Sequence, residues 1–275
     1  MTYATNADNP PITLATLAKY KAAGEKFSCL TCYDASFAHA MKQAGIESIL
    51  VGDSLGMVVQ GHDSTLPVTV ADIAYHTAAI KRSNPNALIL ADMPFLSYAS
   101  VQDGIDGART LMQAGANVVK VEGGSELAEL IGVLGKAGVP VCAHLGLTPQ
   151  LVNVFGGYKV QGKTAEAAEK LFADCQTLVA AGAAMLLLEC VPATLAKKIT
   201  ASVPVPVIGI GAGVDTDGQV LVMHDMLGVY TRKPAKFVHN FLTDTANETH
   251  DIIGTFAAYH RAVKDKTFPS EAHSF

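Results

Sequence analysis

An Ala-Gly pair followed by an apolar run recurs along this chain, as AGIESILVGDS (44–54), AGANVVKVEGG (114–124) and AGAAMLLLECV (181–191). AGVPVCAHLG (137–146) is a fourth, looser copy. Glycine in this place suits the left-handed residue that ends a helix, and a buried parallel strand can follow it directly. The stretches between the copies carry helical spacing. Ser125 can cap a helix whose Leu127, Leu130, Ile131 and Leu134 share one face. Leu171, Phe172, Cys175, Leu178 and Val179 form a similar face between Glu166 and Gly182, and Thr69 offers a cap for TVADIAYHTAAIKRS.

Strands are predicted at 27–34, 48–53, 87–92, 117–122, 140–145, 184–189, 205–210 and 219–224. Eight strands, mostly spaced by helices, within about 250 residues predict a (β/α)8 TIM barrel. An N-terminal helix, TLATLAKYKAAG (13–24), is placed to close the bottom. The region beyond Lys236 is helical in pattern and is expected to hold the last helix and a C-terminal helical extension. A doubly wound open sheet shares the local pattern, and only the strand count argues against it. The expected organisation is a flexible N-terminal tail over 1–12 and a single barrel domain over 13–275.

Composition narrows the partners. With 49% apolar and 16% charged residues, the chain is globular rather than disordered. Its net charge of −5 is spread along the chain, and no basic block points to nucleic acid or an anionic membrane surface. Apolar runs such as VPVPVIGIGAGV fall far short of the roughly 20 residues a membrane span requires. MTYATNADNPP lacks the pattern of a signal peptide. The five cysteines are odd in number and sit mostly in apolar runs, as expected of reduced thiols in the cytoplasm. Cys29 and Cys32 form a C-x-x-C, but residues three apart on a strand face opposite sides, so packing is the preferred role.

The run AMLLLEC (184–190) is short enough for a buried strand, yet it carries Glu189. An ionised carboxylate taken out of water costs several kcal/mol unless something pairs with it. Glu189 is not alone. Asp34, Asp53, Asp92 and Glu122 also stand at predicted strand ends. In a barrel these ends converge on the face that carries active sites. One such acid is most simply a helix cap, but five at one mouth repel until a cation or protonation relieves them. Oxygen ligands select a hard cation, and Mg²⁺ is expected. Lys120 shares a strand face with Glu122 and suits an anionic substrate. His144, at the end of strand 5, can assist binding or fill the barrel.

Two long segments on the same face, 54–68 and 147–163, have the length of lids or binding loops. Within the first, His62 and Asp63 are read as loop-stabilising. GIGAG (209–213) tempts a phosphate-site reading. It lacks dinucleotide-fold spacing, and glycines that let a loop pass close to the rim are the preferred explanation.

The stretches LVGDSLGMVVQGHDSTLPVTVADIAYHT, HLGLTPQ, NVFGGYKVQG, LLLECVP and VPVIGIGAG resemble the ketopantoate hydroxymethyltransferase (3-methyl-2-oxobutanoate hydroxymethyltransferase) family, and the resemblance runs from about residue 13 to the closing AHSF. It implies a barrel of the phosphoenolpyruvate/pyruvate type acting in pantothenate and coenzyme A biosynthesis. The implied reaction transfers a one-carbon unit from 5,10-methylenetetrahydrofolate to 3-methyl-2-oxobutanoate, giving 2-dehydropantoate through a Mg²⁺-stabilised enolate. The resemblance further implies Asp53, Asp92 and Glu122 as Mg²⁺ ligands and Asp53, Ser54, Asp92 and Lys120 as contacts of the 2-oxo acid. Glu189 would be the proton acceptor, and a homo-oligomer, commonly a decamer, the assembly. Burial at an apolar strand end makes a carboxylate a better base, which gives Glu189 its task. The rivals are a Mg²⁺-dependent carbon–carbon lyase or phosphomutase on a related oxo acid, and a non-catalytic nucleotide- or flavin-binding barrel.

Overall fold

The structure, a computed structural model, describes residues 10–230, 233–244 and 250–275. Most of the expected tail, residues 1–9, lies outside the described residues. The strands are β1 (Phe27–Thr31), β2 (Ser48–Val51), β3 (Leu88–Asp92), β4 (Val118–Glu122), β5 (Val141–Gly146), β6 (Met185–Glu189), β7 (Val207–Ile210) and β8 (Gly218–Leu221). They pair in parallel and in sequence order, and β1 pairs with β8 to close the barrel. The helices are α1 (Leu14–Ala23), α2 (Ala35–Gln43), α3 (Leu55–Val58), α4 (Val70–Ser83), α5 (Val101–Ala114), α6 (Ala128–Lys136), α7 (Val152–Phe155), α8 (Ala165–Ala181), α9 (Ala193–Ser202), α10 (Met223–Met226) and α11 (Ile252–Lys264).

Each strand is buried on both faces, so its residues divide by parity between two cores. Phe27, Cys29, Leu90, Val118, Cys142 and Met185 belong to the barrel interior. Ile49, Val51, Ile89, Val119 and Val121 pack in the layer beneath the helices. The expected left-handed glycines are present: Gly115 and Gly182 cap α5 and α8 at φ +112° and +111°. Cys29 and Cys32 fall into the two different cores, and burial pushes both thiols up to about 12, which suits packing.

The leading helix closes the bottom as expected. Thr13 caps α1, Leu17 joins the barrel interior, and the Lys21 ammonium lies 2.7 Å from Asp217 Oδ2 and 2.8 Å from Thr200 O. The C-terminal region holds the last helix, as expected. Helix α11 starts at Ile252, behind Asp251, which accepts the Gly254 N–H at 2.7 Å. Ahead of it, Phe241 meets Tyr259 and Phe268 edge-on. Helix α11 lies against β1 and α2, where Lys264 pairs with Glu47. Among the described residues no helix is long and apolar enough to cross a membrane.

Candidate active site

β3 ends on Asp92, β4 on Glu122 and β6 on Glu189. Strand register sets Asp92 beside Lys120, and Glu122 beside His144. The two-residue period aims Lys120 and Glu122 into the same barrel mouth. Asp53 joins them from two residues beyond β2, its backbone N–H donating to Asp92 Oδ2 at 2.9 Å. Asp34 does not join. It stands three residues beyond β1, is exposed, and accepts the N–H groups of Ser36 and Phe37 at 2.8 and 2.9 Å as the cap of α2. The helix following β1 needs a cap, and that need places this acid outside the mouth.

Ligand oxygens of Asp53, Asp92 and Glu122 lie within 4.8 Å of one another, and all three side chains are buried. The Lys120 ammonium sits among them, 3.1 Å from Asp92 Oδ1, 3.0 Å from Glu122 Oε1 and 3.2 Å from His144 Nδ1. His144 Nδ1 is 3.0 Å from Glu122 Oε1. Its Nε2 is 3.3 Å from Glu189 Oε2, within ion-pair range but not aligned as a hydrogen bond. His144 therefore bridges two acids, and Glu189 keeps 15% of its side chain exposed to the mouth. Ser54 lies at the rim with its hydroxyl 2.8 Å from Tyr33 Oη.

The charges are unequally compensated. Burial, then the Glu122 and Asp92 charges, hold the Asp53 carboxyl well above the usual carboxylate range. Burial also raises Asp92, against the pull of Lys120. Burial opposes ionisation of Glu122 too, but Lys120 and His144 prevail and lower it to about 2. For His144, burial and Lys120 disfavour the imidazolium, while Glu122 and Glu189 outweigh them and raise it to about 9. Asp92 Oδ1 is a buried acceptor without an aligned hydrogen bond. The carboxylates of Asp53, Asp92 and Glu122, facing a single ammonium at Lys120, form an all-oxygen donor set that fits a hard divalent cation.

Two participants escaped sequence reasoning. Gln150 donates from Nε2 to Asp53 Oδ2 at 2.9 Å and from its backbone N–H to Glu122 Oε2 at 3.0 Å. The Tyr98 hydroxyl donates to Gln150 Oε1 at 2.6 Å and accepts the Glu122 N–H at 3.1 Å. The only available signal for Gln150 was its place in HLGLTPQ, directly after β5. The two long loops meet where Tyr158 Oη lies 3.8 Å from Met57 Sδ. In the first, His62 and Asp63 are exposed, and the His62 N–H donates to Gly56 O at 2.8 Å. GIGAG is covered rather than open: a Cβ on Gly211 would fall 2.9 Å from Phe237 and 3.0 Å from Phe275. Its glycines serve close packing at the rim.

Solved structures with this architecture include a 2,3-dimethylmalate lyase of the PEP mutase/isocitrate lyase superfamily. It is 16% identical with a TM-score of 0.56, over 77% of this chain and 81% of that one. A phosphonopyruvate hydrolase in complex with oxalate and Mg²⁺ gives 15% identity and a TM-score of 0.58, over 75% and 78%. At such identities the likeness shows the barrel fold alone. Sequence comparison reaches further. The 3-methyl-2-oxobutanoate hydroxymethyltransferase of Psychrobacter arcticus is 64% identical over 263 residues, 96% of this chain and 99% of the relative. That of Acinetobacter baylyi is 60% identical over 265 residues, 96% and 98% of the two chains. The ketopantoate hydroxymethyltransferase family matches residues 11–271, and with this extent of agreement the chain belongs to that family of transferases.

Proposed function

We propose that this chain transfers a hydroxymethyl unit from 5,10-methylenetetrahydrofolate to 3-methyl-2-oxobutanoate, yielding 2-dehydropantoate for pantothenate biosynthesis. The observation that carries the reading is a partly open carboxylate, Glu189, set beside a buried carboxylate cluster at one barrel mouth. Asp53, Asp92 and Glu122 would hold Mg²⁺. When bound, the cation would supply positive charge to the keto oxygen of the substrate, where negative charge grows as the C3 proton leaves.

The remaining steps fall to side chains. Lys120, Ser54 and the Asp53–Asp92 pair contact the 2-oxo acid and fix its orientation. Glu189 removes the C3 proton, and His144, 3.3 Å away, stabilises and orients that carboxylate. The resulting carbanion forms the new carbon–carbon bond to the one-carbon unit. Overall one water is consumed, its oxygen becoming the hydroxyl, and tetrahydrofolate leaves. The loops 54–68 and 147–163 limit water at the mouth. The family resemblance also carries the proposal of a cytoplasmic homo-oligomer, a decamer. Exposed Tyr75, Leu96 and Val154 are side chains an assembly could cover, and light scattering on the eluting protein checks it.

The test of the chemistry is deuterium exchange at C3 of 3-methyl-2-oxobutanoate, followed by NMR with Mg²⁺ and no folate. Exchange is expected in the wild type and lost with a chelator or in Glu189→Gln. Adding the folate then gives 2-dehydropantoate. A wild type that exchanges nothing, even with folate, would sink the reading in favour of a lyase, phosphomutase or binding protein.

A further inference from the structure

Gln150 belongs to the loop that leaves β5, yet it is only 4% exposed. A buried amide is costly unless its donors and acceptor are matched. Nε2 donates to Asp53 Oδ2 at 2.9 Å and to Met93 O at 3.0 Å, while Oε1 accepts from the Tyr98 hydroxyl at 2.6 Å. The Met93 carbonyl offers only lone pairs, so turning the amide over would set oxygen against oxygen there. Tyr98 is itself fixed, accepting the Glu122 N–H at 3.1 Å.

One neutral residue thus grips two members of the carboxylate cluster, Asp53 through its side chain and Glu122 through its backbone at 3.0 Å. A carboxylate with one oxygen held by an N–H has a defined rotamer and a defined free edge. For Asp53 the held atom is Oδ2, and for Asp92 it is also Oδ2, bound by the Asp53 N–H at 2.9 Å. A lysine or arginine in place of Gln150 would orient the same oxygens but would also neutralise charge that attracts a cation. The amide orients them and leaves that charge in place.

We propose that Gln150 is a positioning residue for the divalent-cation site, setting the Asp53 and Glu122 carboxylates and thereby the affinity for the ion. This rests on the reading of Asp53, Asp92 and Glu122 as the ion's ligands. The test uses Mn²⁺ alone, titrated into wild type, Gln150→Met, Tyr98→Phe and Asp53→Asn, with free Mn²⁺ followed by electron paramagnetic resonance. Loss of an outer partner of a metal ligand commonly weakens binding about 10–100-fold, and Gln150→Met is expected in that range. Tyr98→Phe keeps the amide but leaves Oε1 without its donor, and a smaller weakening is expected.

Melting curves without metal show which variants are folded. Should Gln150→Met fail to fold, Tyr98→Phe decides alone. Wild-type affinity in the folded Gln150→Met and Tyr98→Phe proteins, beside a loss in Asp53→Asn, overturns the positioning role and leaves the metal site standing. A wild type that binds no Mn²⁺ overturns the metal site itself.

Discussion

Lys120 is 3% exposed, with carboxylate oxygens at 3.0 and 3.1 Å, and its value lies in what would happen without it. Breaking a buried ion pair from one side costs about 3–5 kcal/mol because a charge is left stranded. Lys120→Met is expected to lose stability in that range in metal-free protein, read from urea unfolding. Adding Asp92→Asn should recover part of it, since the stranded charge is then removed. A Lys120→Met protein as stable as the wild type would show the acids to be neutral already. Asp92, Glu122 and Glu189 were legible at the mouth because they end strands, Lys120 because it shares strand parity with Glu122, and Asp53 because it follows a strand by only two residues. Asp34 misled because an acid after a strand serves a helix cap equally well, and the residues alone do not choose. Gln150 and Tyr98 were hidden for another reason: Gln150 finds Asp53 across 97 positions and Tyr98 across 52, and no local pattern records such meetings.

At the level of elements, Gly146 shows how closely β5 and β6 are fitted. It ends β5 at φ +93°, pairs with Glu189, and a Cβ there would fall 2.3 Å from Glu189 O. Gly146→Ala must therefore shift the end of β6, adding overpacking of about 1–3 kcal/mol to the backbone strain. We expect C3 exchange to fall well below wild type while Mn²⁺ binding changes little, because the displaced acid is Glu189 rather than the cluster. Equal losses in both assays would mean that the distortion spreads to β4. The eight strands were legible because each is buried on both faces and several follow a left-handed glycine. Their ends were less so: β1 and β2 stop at Thr31 and Val51, short of the acids expected to terminate them.

For the whole molecule, the mouth ties global stability to protons and to metal with opposite signs. In metal-free protein Asp53 is raised above its ordinary value and His144 is raised to about 9, so folding takes up protons at both. The His144 contribution is fully present below its unfolded value near 6.5 and is lost as pH rises through about 9. Asp53 acts in the same sense from its own unfolded value upward. Metal-free stability should therefore decline from pH 6.5 to 9, and His144→Gln should flatten the slope. A divalent cation needs the carboxylates deprotonated, so its stabilisation grows as pH rises. At a concentration 100 times its dissociation constant an ion adds about 2.7 kcal/mol, which for a chain of this size corresponds to roughly 5 °C in Tm. The gap between melting curves in Mg²⁺ and in a chelator should thus widen from pH 6.5 to 9. A gap independent of pH would place the ion away from these acids, whereas a widening gap that shrinks in Asp53→Asn would locate it among them.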